Sequence, residues 1–153
     1  MTKQARVVLA DCRGALEELT NGVYEDRWRR RWVVTVVLLR AVGHVLDNVD
    51  SQQSPKMKRA IAAAWTELKA RKPDHAIYWS FIDDERNNVV KEYLVGAGYN
   101  ITVYPGADRP TDFEYVINTG PFKGQLQNEV VAKAIEWWKE YLDAIDSAVE
   151  NAP

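Results

Sequence analysis

The chain has 153 residues, 46% of them apolar and 27% charged, with a formal net charge of -2 at pH 7. A single domain of this size buries roughly two-thirds of the surface its unfolded form exposes, and the composition lies far from the polar, highly charged signature of disorder. The near-neutral charge gives no global field to gather nucleic acid or an anionic membrane, and one cysteine with two histidines excludes an internal disulfide and leaves no metal or cofactor expected.

The opening residues Met1 to Arg6 are not followed by an apolar stretch of signal-peptide type, so a cytoplasmic location with no membrane partner is expected. Val8, Cys12, Ala15, Leu16 and Leu19 recur at three- and four-residue steps and predict a first helix, stopped by Asn21-Gly22, with Cys12 a buried structural thiol. A second helix from about Tyr24 to Val49 carries Trp28, Trp32, Val36, Leu39, Val42, Val45, Leu46 and Val49. Its most apolar run, Trp32 to Leu39, is closed by Arg31 and Arg40 and falls far short of the roughly 20 residues that span a bilayer, which predicts a central core helix. Ser54-Pro55 reads as N-cap and first position of a third helix bearing Met57, Ile61, Ala64, Trp65 and Leu68, ended by Lys72-Pro73. Asp74 is expected to cap a fourth helix that reaches about Leu94, with Gly96 and Gly98 closing it. From 99 to 124, Pro105-Gly106, Pro110 and Gly120-Pro121 surround two β-prone pieces, Ile101 to Tyr104 and Phe113 to Ile117, and predict a hairpin-like insertion. A fifth helix, about Gln125 to Val149, places Val130, Ala134, Trp138, Tyr141, Leu142, Ile145 and Val149 on one stripe. The expected fold class is mainly α: one domain over 1–153, a compact bundle of about five helices with a short β-hairpin-like insertion before the last.

The candidate chemistry lies on the second and fourth helices. At 100° per residue, Arg86 falls within the arc made by Tyr78, Ile82, Val89, Val90 and Tyr93, with Asp83 on the same helix. A guanidinium facing a core or a partner cannot shed its proton and must find a carboxylate, carbonyls or a ligand anion. Arg40, His44 and Asp47 stand at i, i+4 and i+7 on an otherwise apolar helix. Two readings follow. Either these residues and Arg86 converge on a polar pocket between the two helices, where arginine binds phosphate and histidine transfers a proton, or an Arg-Asp network fixes helix register and His44 is a satisfied core histidine. The catalytic candidates are Arg86 and His44, and the ligand-binding candidates are Arg86, Asn87, Lys91, Arg40 and Asp47.

Arg27, Arg29, Arg30 and Arg31 beside Trp28 and Trp32 offer cation and stacking surface for single-stranded nucleic acid, or else a solvated face whose tryptophans pack inward. Trp137, Trp138 and Tyr141 suit a core or a dimer seam better than a ligand cage, and His75 reads as an exposed first-turn residue. The chain has no glycine-rich phosphate loop, His-Glu-x-x-His helix or Gly-x-Ser-x-Gly elbow.

The Arg86-Asn87 pair on a late helix of a small bundle resembles the HEPN (higher eukaryote and prokaryote nucleotide-binding) superfamily, in the manner of a divergent bacterial member. The resemblance covers the fourth helix and the general layout. It implies a bundle of four or five helices that commonly dimerises, in which an Arg and a His cleave RNA without metal at the dimer interface. Arg86 and Asn87 match the motif, but Lys91 stands where the histidine belongs, and no histidine follows Arg86. Lysine, with an ordinary pKa of about 10.4, is a poor base at neutral pH, though it can hold a phosphate. The expectation is a HEPN-like homodimer that binds an anionic, nucleotide or RNA ligand without catalysis. The alternatives are a toxin-like, metal-independent ribonuclease in which His44 replaces the missing histidine, and a protein-interaction module with exposed tryptophans on the second and fifth helices.

Overall fold

The computed structural model describes residues 1–20, 25–102 and 112–151. Among these, the chain forms five α-helices: α1 (Lys3–Thr20), α2 (Glu25–Asn48), α3 (Pro55–Ala70), α4 (Asp84–Glu92) and α5 (Gln127–Asn151). A two-stranded antiparallel sheet, β1 (Ala97–Thr102) with β2 (Asp112–Ile117), precedes α5. The expected helical bundle with a hairpin before its last helix is the observed architecture.

α1 packs along α2, and α3 and α5 close the other sides. Ala5, Leu9 and Cys12 of α1, Trp32, Val36, Leu39 and Val42 of α2, Met57 and Leu68 of α3, and Val130, Trp138 and Leu142 of α5 are buried in one cluster. Trp32 and Trp138 are its largest fully enclosed side chains, and truncating either to alanine costs about 3–5 kcal/mol. Burial pushes the Cys12 thiol up to about 12, so it is an inert member of this core, as its apolar neighbours predicted. By length and composition alone the stretch Arg27–Gln53 could cross a membrane, which the shorter run Trp32 to Leu39 did not suggest; its inner face is instead packed in the bundle.

Helix starts are held by polar contacts. Ser54 caps α3, its Oγ accepting from the Met57 amide at 3.1 Å, with Pro55 at the first position. The first amides of α1 are capped from a distance: the buried Asp50 carboxylate, in the 3₁₀ turn after α2, accepts from the Gln4 and Ala5 N–H groups at 3.1 and 2.9 Å. Asp146 of α5 accepts from the Thr2 amide at 2.7 Å and its hydroxyl at 3.0 Å, and also binds Arg6. The Arg6 guanidinium and Thr2 hold the Asp146 carboxyl below the ordinary aspartate range against the opposing effect of burial.

The fourth helix departs from expectation at both ends. Asp74 does not cap it; residues Lys72–His75 form a 3₁₀ turn, and the Asp74 carboxylate binds Arg71 instead, accepting from Nε at 2.8 Å. The helix then widens into a π-helical segment, Tyr78–Asp83, before α4. Neither glycine closes it, because Tyr93 takes the left-handed conformation (φ 54°) and returns its amide to the carbonyls of Asn88 and Val89. Gly96 serves another purpose: a Cβ there would lie 2.3 Å from Glu85 Oε2, and its amide donates to Glu85 Oε1 at 2.8 Å. β1 also starts four residues before the expected Ile101. The anticipated features at Asn21-Gly22, Tyr24, Tyr104, Pro105-Gly106 and Pro110 lie outside the described residues.

Candidate functional site

The three polar residues of α2 line one cavity. Arg40, His44 and Asp47, one turn apart, meet Trp65 of α3, Tyr78 of the π-helical segment, and Trp138 and Tyr141 of α5 around a volume of about 290 Å³. Gly43 gives the site its close approach, because a Cβ there would come within 3.0 Å of the Trp138 ring and 3.2 Å of Arg40 Nη1. The Trp138 indole donates to the Leu39 carbonyl at 2.8 Å, which holds the ring against α2.

A chain of polar contacts runs from α2 to α4. Arg40 Nε donates to Asp83 Oδ1 at 2.8 Å, Asn87 Nδ2 donates to Asp83 Oδ2 at 3.4 Å, and Arg86 Nη1 donates to Asn87 Oδ1 at 3.0 Å. The Arg40 guanidinium also sits over the Tyr78 ring, 5.7 Å from its centroid. Asp83, the last residue of the π-helical segment, thus anchors one arginine directly and the other through Asn87. Single π turns inside α-helices recur at functional sites.

His44 is exposed and lies in the field of both arginines. Burial, then Arg40 and Arg86, lower its pKa from the ordinary histidine value, with Asp83 and Asp47 opposing, so the imidazole is neutral at neutral pH. Burial raises the Tyr78 phenol to about 12 and keeps it protonated.

Arg40, His44, Asp47, Arg86 and Asn87 are therefore brought together, with only the first three on the cavity wall. Lys91 is exposed in the last turn of α4, away from both the cavity lining and the polar chain. The expected Arg-Asp network exists as the Arg40–Asp83 pair, but His44 is no core histidine. Of the two placements expected for Arg86, facing the core or a partner, the core one falls instead to Glu85, 6% exposed, while Arg86 is half-buried. Val90 and Tyr93, which widen the apolar arc in the sequence, are 54% and 63% exposed. Glu85 accepts from the Trp32 indole and the Gly96 amide, both at 2.8 Å, and burial raises its pKa against those two bonds.

Of the two readings of the α2 start, the one in which the tryptophans pack inward is observed. Trp28 stacks on Tyr115 with centroids 4.4 Å apart and donates to Gln127 Oε1 at 2.7 Å, and Trp32 is held by Glu85, so neither face is open to a base. Trp138 is buried and Trp137 half-buried, stacked on Tyr141 at 5.0 Å, so α2 and α5 present no exposed tryptophans to a protein partner. His75 is half-buried rather than exposed, its Nδ1 accepting from the Trp137 indole at 3.2 Å. Among the described residues no group of three or more His, Cys, Asp or Glu is placed to hold a metal ion.

No family model, curated protein or solved structure matches the chain.

Proposed function

We propose that this chain is a HEPN-like helical domain that binds an anionic ligand, a nucleotide or the end of an RNA strand, at the cavity on α2. The observation that carries the reading is the placement of Arg40: it is oriented through Nε by Asp83 and lines a cavity walled by Trp65, Tyr78, Trp138 and Tyr141. A fixed guanidinium suits a phosphate, and aromatic walls suit a flat base. Arg86 and Asn87 support the site from behind by completing the hold on Asp83. Titration of the purified protein with inorganic phosphate, a nucleoside monophosphate and single-stranded RNA tests the reading. Arg40→Ala should remove binding of all three while the helical circular-dichroism signal is retained.

A second reading is favoured by His44. A neutral imidazole in the field of two guanidinium groups suits metal-independent RNA cleavage: His44 takes the proton of the ribose 2′-hydroxyl as that oxygen bonds to phosphorus, the resulting imidazolium returns it to the 5′-oxygen as the P–O5′ bond breaks, and the arginines offset the charge on the phosphoryl oxygens. Incubation with labelled RNA in EDTA separates the two readings. Cleavage lost in both His44→Ala and Arg86→Ala supports the ribonuclease, and retention without cleavage supports the binding domain.

A further inference from the structure

A second groove, about 400 Å³ in volume, lies between α3 and α5 and shares only Tyr141 with the α2 cavity. The two helices run antiparallel. His75, just after α3, accepts from Trp137 in the first half of α5, whereas Asp50, just before α3, and Asp146, late in α5, both hold the start of α1. From Ala60 to Arg71 the groove follows α3 for about 16 Å. That volume drawn out over that length makes a slot rather than a chamber, which suits a chain better than fused rings.

The two ends of the slot differ in chemistry. Away from His75, Ala60 and Ala64 of α3 and Ala144 and Ala148 of α5 line it, over a bottom closed by Leu68 and Ile145, each 1% exposed. Side chains this short leave open the space that larger residues would fill, and none of them offers a hydrogen bond. Toward His75 the walls carry charge. Glu67 and Glu140 line the groove from α3 and α5, and Arg71, the cation on this wall among the described residues, is held by Asp74 at 2.7 Å and by Glu67 at 3.4 Å. Three carboxylates therefore stand against one guanidinium. Glu140 has no hydrogen-bond partner among the described residues, and Lys139 beside it binds Glu136 at 2.7 Å. Burial, then Tyr78 and Glu67, push the pKa of the Tyr141 phenol up, so it stays a neutral hydroxyl that can accept as well as donate.

An apolar slot with a few polar groups gathered at one end is the usual form of a small-molecule site. We infer that the α3–α5 groove binds a primary alkylammonium compound, its unbranched tail along the alanines and its head at Glu67, Glu140 and the Tyr141 hydroxyl. The inference does not depend on the ligand reading of the α2 cavity, because Arg40 does not line this groove.

Octylammonium, octanol and octanoate share a tail and differ in head charge, and titrating the full chain with each at neutral pH is the test. Binding is followed by NMR at the Trp137 indole N–H and the Ala63 and Ala144 methyl groups. Octylammonium should shift these signals saturably, with octanol weaker and octanoate at least about fivefold weaker than octylammonium. Glu140→Gln should weaken octylammonium binding by about twofold to fivefold, as loss of an exposed ion pair implies, and leave octanol binding unchanged. Ala144 is exposed on α5, so Ala144→Leu should keep the helical circular-dichroism signal while filling the slot and weakening octylammonium by about tenfold or more. Equal affinity for the three heads, shifts that avoid the Trp137 and alanine signals, or binding undiminished by Ala144→Leu each overturns the inference. So does a wild type that none of the three compounds shifts.

Discussion

The Trp32 indole of α2 donates to the Glu85 carboxylate of α4 at 2.8 Å, and the same oxygen accepts from the Gly96 amide at the foot of β1. One buried acid therefore ties the central helix, the fourth helix and the hairpin together. Glu85→Ala leaves two buried donors unsatisfied and should cost about 2–4 kcal/mol in urea unfolding. Glu85→Gln keeps an acceptor oxygen for both donors and should cost far less.

Glu85 also gives a signed pH dependence. Its folded pKa is raised by burial, so the acid's contribution to stability is fully present below the unfolded value of about 4.3 and is lost as pH rises through the higher folded value. Glu85→Gln lacks that loss. The stability of Glu85→Gln relative to wild type should therefore climb with pH across this window and then level off, measured by urea midpoints at fixed m value.

Asp50 caps α1 across 45 residues of sequence. Asp50→Ala should destabilise the fold by about 1–2 kcal/mol, and Asp50→Asn should recover part of that, because an amide oxygen can still accept from one of the two amides. Hydrogen exchange at Gln4 and Ala5 should rise in the alanine variant.

Much of the fold was legible because its signals are local. Ser54-Pro55, the α5 stripe and the run from Phe113 to Ile117 each contain their own instruction: a cap, a 3.6-residue period and a β-prone segment between turns. The misses have non-local or conflicting causes. Asp50 and Asp146 act on the start of α1 from distant parts of the chain, and two exposed apolar residues, Val90 and Tyr93, shift the apparent core face of the fourth helix toward Arg86 and away from Glu85. The π-helical segment and the left-handed Tyr93 carry no glycine or proline to announce them. Of the candidate site, the i, i+4, i+7 polar stripe on α2 was readable from spacing. That Asp83 rather than Arg86 meets Arg40 requires the tertiary packing.

Gly43→Ala sets two effects against each other. Alanine gains about 1 kcal/mol of helix propensity, but its Cβ meets the enclosed Trp138 ring at 3.0 Å, where the side chain has no room to give. The net change should be a loss of about 1 kcal/mol or more in thermal unfolding, with altered tryptophan fluorescence.

His44 reports the field of the site. Followed by NMR, its titration midpoint should lie below the ordinary histidine value, and Arg86→Ala should raise it by removing a nearby positive charge. A midpoint that does not move would separate Arg86 from the site.

The proposed anion binding by Arg40 at the α2 cavity is tested by equilibrium binding of labelled single-stranded RNA in EDTA, comparing wild type, Arg40→Ala and Lys91→Ala. Wild type and Lys91→Ala should bind alike, and Arg40→Ala should bind at least about tenfold more weakly, as loss of a charged hydrogen bond worth about 1.5–3 kcal/mol requires. Equal affinity for Arg40→Ala, or a wild type that retains neither RNA nor nucleotide, would contradict it.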